Sequence, residues 1–229
     1  MGRSLRLVED GLVYHAINRG NNRDVVFLDD DDHAAFLDAL GRTQAKYPFR
    51  LFGYCLMSNH FHLLLRPEEG VSISRVLQSL TVTHTWRYHR RRRTSGHVWQ
   101  GRFKSPVVQD EGHLLTVLRY IEANPLRAGM VEDPTTYRWS SAPAHATGLA
   151  NPLLAPFPEW DALGRDERSR QSAWRRKLRG SQPEAEILAI RTSLRTGLPF
   201  GEPEWADSLA AALGRTPPRP RGRPRKAEE

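Results

Sequence analysis

Apolar residues run through Gly11–Asn18 (GLVYHAIN), and the turn cluster Arg19-Gly20-Asn21-Asn22 closes the segment, which predicts a first strand. From Asp30 to Tyr47 the period changes. Ala34, Phe36, Leu37 and Leu40 recur at helical spacing, aspartates stand where a helix dipole favours them, and Pro48 ends the run. Two strand-like runs follow, Phe49–Met57 and His60–Arg66, with Ser58-Asn59 between them as a hairpin turn. Val71–Arg93 predicts a long helix with Ile73, Val76, Leu77 and Leu80 on its apolar side. Val98–Gln109 holds one more strand, which Pro106 assigns to a sheet edge. Glu111–Ala123 predicts a helix with Leu114, Leu115, Val117, Leu118 and Ile121 inward, stopped by Asn124-Pro125.

This β-α-β-β-α-β-α order is the α+β split βαβ arrangement, ferredoxin-like or RRM-like, with one added helix. It predicts an antiparallel sheet with helices on one face and the other face free. Past about Thr147 the pattern changes: Asn151–Glu159 is proline-rich, Arg165–Arg179 is a charged helix, and Pro203–Leu213 is a short amphipathic one. Pro217–Lys226 (PPRPRGRPRK) cannot build a core and is expected to be disordered alone. The expected division is residues 1–147, a mainly helical extension 148–214, and a basic tail 215–229.

Charge narrows the function. The 229 residues carry 34 Lys and Arg against 26 Asp and Glu, a formal net charge of +8 that favours a polyanionic partner. No apolar run approaches the roughly 20 residues of a membrane span. The N-terminus has no signal-peptide core, so a soluble, cytoplasmic protein without a membrane partner is expected. The single cysteine, Cys55, excludes an internal disulfide and a zinc site built on several thiolates; it reads as core. From Gly70 to Gln109 there is no acidic residue and there are eight basic ones. Within that stretch Arg87, Arg90, Arg91, Arg102 and Lys104 are candidates for a DNA backbone, and Trp86, Tyr88, Trp99 and Phe103 offer flat surfaces for unpaired bases. His84, His89 and His97 read as phosphate contacts rather than metal ligands. In the tail, Arg221-Gly222-Arg223-Pro224 resembles an AT-hook core. Arg221 and Arg223 there suit a narrow A·T-rich minor groove, with non-specific phosphate attraction as the alternative.

The candidate chemistry lies elsewhere. On a strand, His60 and His62 share one face while Phe61, Leu63 and Leu65 share the other. Two imidazoles at that spacing can converge on a metal ion, although such a pair alone is more often packing, and a third oxygen or nitrogen donor is required. Tyr120 and Asn124, four apart, lie on one side of a helix, and an asparagine carbonyl is a hard ligand suited to magnesium or manganese. A core tyrosine and a helix cap are the alternative for that pair. Tyr54 is a rival nucleophile without a ligand four residues on, Glu122 is offset from the Tyr120–Asn124 face, and His15 and Asn18 read as strand-end hydrogen-bonding groups.

Four segments together carry a resemblance: YHAINRGNNR at 14–23, YCLMSNHFHLLL at 54–65, VWQGRFKS at 98–105 and RYIEANPLRAGMV at 119–131. Over roughly residues 5–145 the chain resembles the single-tyrosine HUH transposases of the IS200/IS605 type, and more closely their REP-associated tyrosine transposase branch. The resemblance implies an RRM-like sheet with a catalytic helix beside it. His60, His62 and Asn124 would hold Mg2+ or Mn2+, and Tyr120 would attack a phosphodiester of single-stranded DNA beside a hairpin. That attack would leave a 5′-phosphotyrosine and a free 3′-hydroxyl. From their positions, Arg127 just after the helix and Arg19 at the strand end are candidates to contact the DNA backbone, with strand-end hydrogen bonding as the alternative for Arg19. The protein would act as monomer or homodimer. One phosphodiester is exchanged for another, so no nucleotide fuel is needed, and the chain has no GxxxxGK[ST] loop. The alternative is a non-catalytic RRM-like protein that binds structured nucleic acid.

Overall fold

The computed structural model describes residues 11–110 and 112–214. Strands β1 (Val13–Arg19), β2 (Phe49–Met57), β3 (His60–Pro67) and β4 (Val107–Val108) form one antiparallel sheet in the order β2-β3-β1-β4. Helices α1 (Asp30–Lys46) and α2 (Ile73–Arg92) connect them in the split βαβ manner, and α3 (His113–Glu122) is the added helix. The strand predicted over Val98–Gln109 is mostly irregular. It bridges β1 at Lys104 and the following Gly20 at Trp99 before the short edge strand β4, and Pro106, which has no N–H to donate, stands between.

Strand pleat sorts the core into two layers. Phe61, Leu63 and Leu65 of β3 face α1 and α2, where Phe36 and Leu40 meet Ile73, Val76, Leu77 and Leu80 as the spacing predicted. Ala34 instead faces solvent. The other face is not free. Val13, Phe52, Cys55, Met57, Leu64 and Val108 are apolar there, and a sheet apolar on both sides must be covered on both. The cover is α3 together with α5 (Ala142–Thr147), α7 (Glu167–Arg179) and α8 (Glu184–Thr196), which contribute Trp174, Leu178, Ile187, Ile190 and Leu194. Short turns α4 (Asn124–Arg127) and α6 (Pro158–Asp161) link them, and α9 (Pro203–Ala212) follows. Helix α8 falls inside the extension expected to be mainly helical, but it is not among the helices placed there from the pattern. Its signals are nevertheless present: Ile187, Ile190 and Leu194 at helical spacing, and Gly197 closing it in the left-handed conformation. Among the described residues no helix is long and apolar enough to cross a membrane.

The acid-free stretch finds its acids in space. Arg91 bonds Asp29 (2.5 Å) and Asp32 (2.7 Å), and Arg92 also reaches Asp32 (2.7 Å), so the end of α2 is clamped to the start of α1. His84 does not reach outward to phosphate. It is buried among Phe27, Phe36 and Trp99, and burial pulls its pKa down to about 4. A histidine neutral in the folded chain but titrating near 6.5 when unfolded favours unfolding once the pH falls below that value. Its contribution is therefore present above pH 6.5 and lost between about 6.5 and 4. In urea titrations across that window, His84→Phe should lower the slope of unfolding free energy against pH by roughly 1 kcal/mol per unit. Equal slopes in the two proteins would contradict this.

Candidate active site

The imidazole face of β3 is fixed from both sides. The backbone N–H of Gly20 donates to the Asn59 carbonyl (2.8 Å), tying the end of β1 to the β2–β3 turn. A Cβ at Gly20 would lie 2.2 Å from the Asp24 carbonyl oxygen, so only glycine fits. Asn59 Oδ1 then accepts from Nδ1 of His60 (2.6 Å), and Nδ1 of His62 pairs with Nε2 of His15 (2.9 Å). Both Nδ1 atoms are thus engaged, leaving Nε2 as the second nitrogen of each ring. The rings of His60 and His62 stand 5.0 Å apart, centre to centre. Burial holds His15 near pKa 3 and His60 near 4, with Arg19 adding to the effect at His60, and pushes His62 well below its ordinary value. All three are neutral at pH 7 and carry lone pairs.

Helix α3 brings Tyr120 to the same place. Its ring centre is 5.9 Å from that of His62 and 6.0 Å from that of His15. The helix can lie this close because Gly53, at the register shift in β2, has no side chain: a Cβ there would be 2.1 Å from Leu118. Arg127 lies over the Tyr120 ring at 4.4 Å and bonds the Tyr120 carbonyl oxygen. Asn124 donates Nδ2 to the carbonyls of Tyr120 (3.1 Å) and Ile121 (3.3 Å), which is a helix cap, and so keeps Oδ1 for another partner. Glu122 points away, as its offset implied, and is fully buried. It accepts from Ser141, from His145 Nδ1 (2.6 Å) and from Trp174 Nε1 (2.7 Å), anchoring α3 to α5 and α7.

His60, His62, Tyr120 and Asn124 all line one open cleft of about 460 Å³. Six cationic side chains line it too: Arg19, Arg102, Lys104 and Arg127, expected from the sequence, and Arg191 and Arg195 of α8, which were not. No carboxylate lines it among the described residues, so the cleft accepts anions. Arg102 and Lys104 also border a neighbouring groove with Phe103 and Trp99. Trp99 is only 8% exposed, donates Nε1 to the Thr81 carbonyl (3.3 Å) and packs on Phe61, so most of its ring belongs to the core rather than to a stacking surface. Arg87 and Arg90 stand with Arg91 around the exposed Trp86 on α2, apart from the cleft residues, and Arg90 lies over the Trp86 ring at 5.0 Å. Tyr54 is buried on the opposite face, where its hydroxyl accepts from Asn151 (3.0 Å). Cys55 is buried beside His62 in the register, on the imidazole face. Arg221 and Arg223 lie outside the described residues.

The split βαβ sheet thus brings a phenol, paired imidazoles and converging cations together in one cleft suited to anions. Residues 9–124 match the family of IS200-like transposases, and the chain belongs to that family. It is 28% identical over 116 residues to a REP-associated tyrosine transposase of Haemophilus influenzae, a match spanning 46% of this chain and 66% of that relative. Its fold is similar to a solved REP-associated tyrosine transposase bound to a REP hairpin, with a TM-score of 0.55, 18% identity, and 69% of this chain and 93% of the other covered.

Removing the Glu122 carboxylate would leave His145 and Trp174 without their buried acceptor. Breaking one side of such a network typically costs about 3–5 kcal/mol. Glu122→Ala should lose stability of that order in chemical denaturation, and a loss below about 1 kcal/mol would show that the network is not what docks α3.

Proposed function

We propose that this chain is a single-tyrosine DNA strand transferase of the HUH type, acting on single-stranded DNA beside a REP-like hairpin. The observation that carries the reading is Tyr120 sharing a cation-lined cleft with His60, His62 and Asn124. The related transposase solved with a REP hairpin supplies the expectation of a hairpin partner.

The donor set fits a divalent cation. Two neutral imidazoles keep Nε2 available while Asn59 and His15 hold Nδ1, the arrangement in which an outer hydrogen bond orients a ligand ring. Asn124 keeps its carbonyl oxygen. Among the described residues no three histidine, cysteine or carboxylate side chains form a metal cage, and we assign the third donor to that carbonyl. Mg2+ or Mn2+ bound there would neutralise a phosphate oxygen and favour in-line attack.

The chain's own residues do the rest. Tyr120 Oη forms a bond to phosphorus and the bond from phosphorus to the 3′ oxygen breaks. The phenol gives up its proton and the departing 3′ oxygen takes one up. The phosphodiester energy is kept in the 5′-phosphotyrosine, so a second 3′-hydroxyl can reverse the step onto another strand. Arg127 holds the tyrosine ring, while Arg19, Arg102 and Lys104 hold the strand through its phosphates.

Incubation of the full chain with 3′-end-labelled single-stranded hairpin DNA and Mn2+ should transfer label covalently to the protein. Tyr120→Phe should bind the hairpin and form no adduct, and chelator should suppress adduct formation in the unaltered chain. A shifted but uncut hairpin with metal present would make the chain a binder without chemistry. His15→Phe, which removes the partner of His62 Nδ1, should weaken Mn2+ binding by about 10–100-fold in calorimetry. An unchanged affinity would remove His15 from the site.

A further inference from the structure

Helix α8 is held at both ends. At its start Gln182 Nε2 donates to the Thr116 carbonyl of α3 (3.1 Å). Past its end Ser193 Oγ donates to the Leu198 carbonyl (2.6 Å), and Phe200 exchanges backbone hydrogen bonds with Val107 and Gln109 (both 2.8 Å) beside β4. Between these anchors Ile187, Ile190 and Leu194 pack into the core that holds Tyr120. The face left over carries Arg191 and Arg195, one turn apart and exposed, with Leu194 beside them at the cleft wall.

This arrangement is unfavourable as a fold device. Like charges four apart weaken a helix, and Arg191 also stands near enough to Arg127 to oppose its charge, adding to burial in holding that guanidinium below its ordinary value. Some arginines of the extension have acids, Arg170 meeting Asp161 and Glu167 and Arg179 meeting Asp133, whereas others such as Arg168 and Arg176 stand in open solvent. Arg191 and Arg195 point instead into a cleft with no carboxylate among the described residues. Side chains at this spacing begin about 5–6 Å apart, a separation that two guanidinium groups can set against neighbouring phosphates.

We infer that Arg191 and Arg195 bind backbone phosphates of the single-stranded DNA in the cleft, so that the C-terminal extension forms one wall of the substrate site. The inference rests on the function proposed above. It adds α8 to the cationic lining that Arg102 and Lys104 supply around Tyr120.

The test is fluorescence anisotropy with a short labelled single-stranded DNA oligonucleotide over a series of KCl concentrations, using the full chain. Arg191→Gln with Arg195→Gln should bind roughly tenfold more weakly, and its dependence of log affinity on log salt should flatten by about 0.7 per arginine. The paired lysine variant, Arg191→Lys with Arg195→Lys, should keep the salt slope. Arg168→Gln with Arg176→Gln removes the same charge from exposed positions of α7 and should leave both quantities close to those of the unaltered chain. If the α8 glutamine variant matches this α7 control, the inference is overturned while the proposed function stands. If the unaltered chain binds no single-stranded DNA, both fall.

Discussion

The pleat of β3 is the constraint from which the rest follows. Alternation sends Phe61, Leu63 and Leu65 to one side and His60, His62 and Leu64 to the other. The first set must be covered by α1 and α2, and Leu64 with its neighbours on β1 and β2 must be covered by α3 and the helices after it. Near the His60 end the second face turns polar, and there the cleft opens between the covering helices. The cleft is therefore the point where a sheet that is apolar on both sides ceases to be so. Moving the register by one residue would bury both imidazoles against α1 and expose Phe61.

Position within the cleft is set by groups that do not line it. Gly53 lets α3 approach the sheet, and Glu122 bonds the far side of that helix to His145 and Trp174. A carboxylate inside an apolar layer is tolerated because each oxygen has donors. It is strongly directional for the same reason, and it fixes α3 in rotation as well as depth. The site is thus held by buried polar bonds on one side and left free of negative charge on the other.

Much of the fold was legible because period alone decides it. The boundaries of α1, β2 and β3 were readable to within a residue or so, since proline, turn residues and alternation mark them. The second covering layer was less so. Runs such as FRLFGYCLM are apolar at nearly every position, so they do not say which face is solvated; the answer is that neither is. Charge was the least legible feature. The acids that bind Arg91 and Arg92 lie some sixty residues upstream in Asp29–Asp32, and the arginines that reach the cleft from α8 stand more than sixty residues beyond Tyr120. His60, His62, Tyr120 and Asn124 could be brought together from motif and spacing, whereas the supporting bonds of His15, Asn59 and Glu122 required coordinates.

Backbone pairing at the rims of the sheet has a consequence for assembly. Along β2, Leu51 and Cys55 are bridged by Leu154 and Ser140, and beside β4, Val108 is bridged by Phe200. Segments from the second half of the chain thereby occupy hydrogen-bonding groups that an open margin would present to another molecule. At these positions the rims have fewer free backbone groups with which to add a strand from a second copy.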